Sequence, residues 1–150
     1  MGRVRLPDPL ARRAALARLT STGTYLPRLL VDRLADDEVA TCVPIALEVL
    51  TGPPSDTELD RDWDNVWRHL RLLPMTEAVS ERALALLRGL AHTTEGAHRR
   101  RPIDYLIAAC AEAADDVVLW HWDDDFTAIC NFASIAHEAE HERARAAGIS

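Results

Sequence analysis

The chain has no lysine and no glutamine; all 17 basic residues are arginine, against 24 acids, for a net charge of −7. A basic coat is therefore missing, which excludes nonspecific wrapping of nucleic acid. A nuclease whose arginines gather near its substrate is still allowed. Cysteine is scarce too. Cys42, Cys110 and Cys130 are odd in number, widely spaced and set among apolar residues, so we read them as reduced core residues, not as a disulfide framework or zinc site. No apolar run approaches the ~20 residues of a membrane helix, and the start MGRVRLPDPLARR lacks a signal-peptide core. The expected location is the cytoplasm, with no membrane contact.

What is present suits one soluble domain: 150 residues, 48% hydrophobic and 27% charged. Residues 10–19 and 25–36 read as helices, and EVATCVP supplies a short strand over 38–43. The helix PIALEVL (44–50) follows and stops at Gly52-Pro53-Pro54. Ser55 and Glu58 have capping-box spacing and open a helix over 56–70. LRLLPM offers another short strand. Thr76 then caps a helix whose Val79, Ala83, Leu86, Leu87 and Leu90 form one apolar stripe. PIDYLIAACAEAA predicts a helix buried on every side, and VVLWHW predicts a central strand of a parallel sheet. DDDFTAIC begins a further helix. A first strand is the weak element, since only Arg3 to Leu6 offer one. The pattern predicts an α/β three-layer domain over 1–133 and a polar helical tail over 134–150.

Three carboxylates stand where packing alone does not ask for them. Glu48 lies within the apolar run PIALEVL, Asp104 in the first turn of a buried helix, and Asp123 directly after VVLWHW. In a parallel sheet, ligands bind beyond the carboxyl ends of the strands, where Glu48 and Asp123 emerge. Each also has a structural explanation. The helix dipole favours Asp104, the run Asp123 to Asp125 suits a helix cap, and an arginine partner would satisfy Glu48.

In series, the three segments resemble the PIN-domain ribonuclease toxins of the VapC type. There a strand ending like VATC leads to a helix with an acid, as in LEVL; here EVATCVPIALEVL places Glu48 at that acid. The later family helix reads like IPDLLIAATA, matched by PIDYLIAACA with Asp104. The last strand reads like VLHYDRDF, matched by VLWHWDDDF with Asp123. GAHRRR resembles the GxHR often found before the second of these helices. The resemblance implies a mostly parallel PIN-like sheet and metal-dependent cleavage of RNA phosphodiesters. It also implies Mg²⁺ or Mn²⁺ held by Glu48, Asp104 and Asp123, a cognate antitoxin that covers the acidic pocket, and a homodimer. Carboxylates about 4 Å apart repel by roughly 4 kcal/mol at an effective dielectric near 20, and a divalent ion offsets this. Asp125 is a further candidate ligand, equally suited to capping. Arg99, Arg100 and Arg101 are candidates for RNA phosphates or for a solvated loop.

One part of the family pattern differs. Strand one of the family ends on an aspartate, as in VDKSALARL; here RRAALARL puts Arg12 at the acid and Ala14 where a serine or threonine stands. Asp8 is the nearest substitute. The alternative reading is thus a catalytically impaired PIN-fold protein acting by binding a partner or RNA. His137-Glu138-Ala139-Glu140-His141 matches the HExxH zinc-protease string, but few residues follow it and its surroundings are polar, so a solvated helix is the better reading. Trp63, Trp67, Trp120 and Trp122 read as core or interface, and His121 as packed.

Overall fold

The computed structural model describes residues 39–139 and the single positions 142, 145 and 146, with residues 14–18 as backbone. Among the described residues five strands form one sheet: β1 (Ala14–Arg18), β2 (Val39–Cys42), β3 (Arg71–Leu73), β4 (Val117–His121) and β5 (His137–Ala139). Among the described residues the helices are α1 (Val43–Leu50), α2 (Asp56–Asn65), α3 (Glu77–Ala91), α4 (Pro102–Glu112) and α5 (Asp124–Ala133), with a 3-10 turn at Trp67–His69. The strand order is β3-β2-β1-β4-β5, and every pairing is parallel.

That order sets where a ligand binds. From β1 the chain moves outward to β2 and β3, then crosses to β4 and moves outward the other way to β5. Parallel crossovers are right-handed, so opposite directions place helices on opposite faces, giving three layers. Between β1 and β4 the direction reverses. In open parallel sheets this switch point, at the carboxyl ends of the strands, is where ligands bind.

The core follows the expected apolar pattern. Val79, Ala83, Leu86 and Leu90 of α3 are buried, and Thr76 caps that helix by accepting from the Val79 N–H at 3.2 Å. Ser55 likewise accepts from the Glu58 N–H at 3.2 Å to start α2. All five residues of β4 are buried, as are Ile107 to Ala111 of α4. Helices α3, α4 and α5 pack on one another. Gly89 permits the closest approach: a Cβ there would lie 2.5 Å from Phe132 Cζ. Cys42, Cys110 and Cys130 are free thiols in the interior, and burial pushes the Cys130 thiol up to about 12.

Two expectations are corrected. Residues 14–18, expected in a helix over 10–19, form β1, paired with both β2 and β4. Alanine, leucine and arginine favour helix intrinsically, but ladders on both sides outweigh that preference in a central strand. Residues 14–18 supply the central strand; Arg3–Leu6, expected as a first strand, lie outside the described residues. Residues 137–139, expected in a helical tail, form the edge strand β5. Helix α5 stops at Ser134, which adopts φ 57°, and Ile135 folds back with its N–H on Cys130 O at 2.9 Å. A polar sequence is compatible with an edge strand, where charge guards against further pairing. His137 and Ala139 thus lie in a strand, so the HExxH string does not present one helical face. The expected helix over 25–36, Asp8, Arg12 and His141 lie outside the described residues.

Candidate metal centre

Asp104, Asp123 and Asp125 come together beyond the carboxyl end of β4, each offering a carboxylate oxygen within 4.8 Å of the others. Different elements deliver them. Asp104 sits in the first turn of α4, behind Pro102, and is fully buried because that helix is packed all round. Asp123 leaves β4 two residues after His121 and is the N-cap of α5, accepting from the Asp125 N–H at 2.8 Å. Asp125 stands in the first turn of the same helix. The capping role of Asp123 and its place in the group are therefore compatible, since one carboxylate has several acceptor sites.

Glu48 is not in that group. It projects from α1 and forms an ion pair with Arg101, the residue before α4. Arg100 pairs with Asp125 in the same manner, and its Nε donates to Ala97 O at 3.1 Å. The loop that carries these arginines is pinned. Gly96 takes a positive φ of 75°, the Arg99 N–H bonds Gly96 O at 2.9 Å, and the Tyr105 hydroxyl donates to His98 O at 2.9 Å. Burial raises the Tyr105 pKa; the Arg100 charge opposes this, and the Asp125 and Asp104 carboxylates add to it.

Behind Asp123 lies a chain of rings. The Asp123 N–H donates to His121 Nδ1 at 3.2 Å, His121 Nε2 meets His137 Nδ1 at 3.0 Å, and His137 Nε2 meets Asn131 Oδ1 at 3.2 Å. The expectation that His121 is packed holds, at 1% exposure. Trp120 is in the core, Trp67 packs against it, and Trp63 is about half exposed.

The donor set fits a hard divalent cation. All three candidate ligands are carboxylates, the oxygen donors that Mg²⁺ or Mn²⁺ takes, with water free to complete the shell. Sequence reasoning gave Asp125 only a secondary place. The signal for it was present: a residue two positions after an N-cap acid also faces the start of its helix. The pairing of Arg100 and Arg101 with acids distant in sequence carried no local signal.

The family profile described as "PIN domain" matches residues 14–131. Over 93 residues the chain is 29% identical to Ribonuclease VapC18 of Mycobacterium tuberculosis (strain ATCC 25618 / H37Rv), an alignment covering 62% of this chain and 67% of that protein. The three-layer parallel sheet, the acids at its switch point and the profile match agree: the chain belongs to the PIN-domain family, and its resemblance to the VapC type is borne out.

Proposed function

We propose that this chain is a metal-dependent endoribonuclease, the toxin of a toxin–antitoxin pair. The observation that carries the reading is the convergence of Asp104, Asp123 and Asp125 beyond the carboxyl end of β4, beside the point where the strand order reverses. These three residues hold Mg²⁺ or Mn²⁺, and Glu48 is the fourth candidate ligand. When bound, such an ion would supply Lewis-acid chemistry, lowering the pKa of its water and offsetting charge on the scissile phosphate. The protein's part is to fix the carboxylates: α4 buries Asp104, and the α5 cap orients Asp123. RNA as substrate rests on the similarity to a protein named a ribonuclease. A cationic antitoxin segment over the acids, a homodimer and a cytoplasmic location complete the reading.

The test is an RNA-cleavage assay with and without Mn²⁺, on wild type and Asp104→Asn. Mn²⁺-dependent cleavage lost in the variant supports the proposal, and equal activity in both proteins rejects it.

One observation favours the alternative, a PIN-fold protein with impaired catalysis that acts by binding. No aspartate or glutamate occurs between Asp8 and Asp32, so neither β1 nor the residues just after it offer the family's first acid. In our reading the centre works with one acid fewer than the family pattern. Cleavage by wild type is then slow.

A further inference from the structure

The arginine-rich loop ahead of α4 places two guanidinium groups on two carboxylates of different elements. Arg100 reaches Asp125 on α5, and Arg101 reaches Glu48 on α1. Asp125 belongs to the candidate centre, and Glu48 is held by the arginine next in sequence to the one on Asp125. The loop does not drift into these pairings, because Gly96 and the Tyr105–His98 bond hold its backbone. The two arginines differ in exposure: the Arg101 side chain is 51% exposed and that of Arg100 20%.

A guanidinium has five donors in a rigid fork, and a single carboxylate does not use them all. The same fork suits a phosphate. A divalent cation at the centre competes with both guanidiniums for the acids, since all carry positive charge and seek the same oxygens. An ion that takes Asp125 therefore frees Arg100 at the place where a phosphate would approach. The neighbouring Arg101–Glu48 pair weakens in the same field.

We propose that Arg100 and Arg101 are the phosphate-binding residues of this site, held on Asp125 and Glu48 until a divalent ion displaces them. The ion and the nucleic-acid backbone thus bind cooperatively: the ion releases the arginines, and the arginines, once on phosphate, no longer oppose the ion. The inference rests on the ribonuclease reading and adds to it a self-neutralised resting state.

The experiment measures two affinities in the same proteins. Mn²⁺ affinity is read by calorimetry without RNA. RNA affinity is read by fluorescence anisotropy of a labelled single-stranded oligoribonucleotide, in EDTA and in Mn²⁺, extrapolated to zero time so that turnover does not enter. Wild type should bind the oligomer about tenfold more tightly with Mn²⁺, within the usual range of coupling between sites. Arg100→Gln/Arg101→Gln should bind Mn²⁺ at least about fivefold more tightly and RNA in Mn²⁺ about tenfold more weakly. Its plot of log K against log salt should be shallower by roughly 1.4, about 0.7 for each lost phosphate contact on a single strand.

Opposite signs from one substitution are the signature. A merely structural pair would weaken both affinities, and a surface ion pair of no consequence would move neither; either result overturns the proposal. Arg101→Gln alone, at the more exposed side chain, carries the same test if the double variant does not fold. Arg99→Gln, exposed in the same loop, should leave Mn²⁺ affinity unchanged. If wild type binds no RNA with or without Mn²⁺, the ribonuclease reading fails along with the inference. If wild type binds RNA but the variants hold Mn²⁺ no more tightly, the inference alone fails.

Discussion

His121 Nε2 lies 3.0 Å from His137 Nδ1, with the two rings stacked at 20° and their centroids 5.2 Å apart. The surrounding bonds fix both tautomers. His121 Nδ1 accepts from the Asp123 N–H, so its proton is on Nε2; His137 Nδ1 therefore accepts, and His137 Nε2 donates to Asn131 Oδ1. Each ring is neutral in this arrangement. A second proton on either ring sets one N–H against another or against the backbone N–H of a candidate ligand.

Acid should therefore loosen this end of the sheet. Burial lowers the His137 pKa below its ordinary 6.5, with Glu142 opposing the shift. Below pH 6.5 the unfolded chain binds this proton more readily than the folded one. The stabilisation is thus complete above that pH and is lost as pH falls toward the folded pKa. We expect unfolding free energy to drop more steeply between neutral pH and mild acid in wild type than in His137→Asn. Urea titrations across that range measure it, and parallel slopes would reject the relay.

The acidic centre makes a separate prediction about stability. Asp104→Asn keeps the size of a buried side chain and removes one charge from a cluster of like charges. Without metal, its thermal midpoint should equal or slightly exceed that of wild type. Mn²⁺ at a hundredfold excess over Kd should raise the wild-type midpoint by about 5–10 °C, from roughly 2.7 kcal/mol of linkage. The variant should gain less than half of that. Equal shifts in thermal scans would remove Asp104 from the ligand set.

Packing behind the centre depends on the α3–α5 contact. At Gly89 alanine would gain about 1 kcal/mol of helix propensity, yet its Cβ would meet Phe132 Cζ at 2.5 Å. Phe132 is 42% exposed, so its ring is able to swing outward at the cost of contacts. Gly89→Ala should therefore be near neutral in wild type and stabilising by about 1 kcal/mol in a Phe132→Ala background. A double-mutant cycle in urea tests the pair. Additive effects would mean that the ring does not limit this approach.

Local signals carried most of what was legible in the sequence. Caps at Ser55 and Thr76, the α3 stripe and the continuous apolar run of β4 each declare themselves within a few residues. Asp104 and Asp123 were legible because each interrupts or ends such a run. Long-range pairing decided the elements that were misread. AALAR becomes a strand only because β2 and β4 flank it, and the polar HEA becomes one only because β4 offers an open edge. Glu48 shows the same limit within the site. Its acid was visible in PIALEVL, but its attachment to Arg101, 53 positions away, was not.

The last prediction concerns the missing first acid. The sequence alignment puts Arg12 at that place, which requires strand one to end there. The structure instead starts β1 at Ala14 and pairs its last residue, Arg18, with His121, two positions before Asp123. β1 and β4 are parallel, so the end of β1 that neighbours Asp123 is the Arg18 end. Position 12 precedes that strand in the chain, whereas the register brings the strand's other end toward the acids. Arg12→Asp should leave both Mn²⁺ affinity and RNA cleavage within about twofold of wild type, the scatter of a surface substitution of under 0.5 kcal/mol. Asp8→Asn should be equally silent. Calorimetry with Mn²⁺ reads the first quantity directly and does not depend on the protein being active. A rise in Mn²⁺ affinity for Arg12→Asp would show that position 12 faces the centre and that strand one ends before Ala14. A loss for Asp8→Asn would make Asp8 the first ligand and restore the full family set of acids.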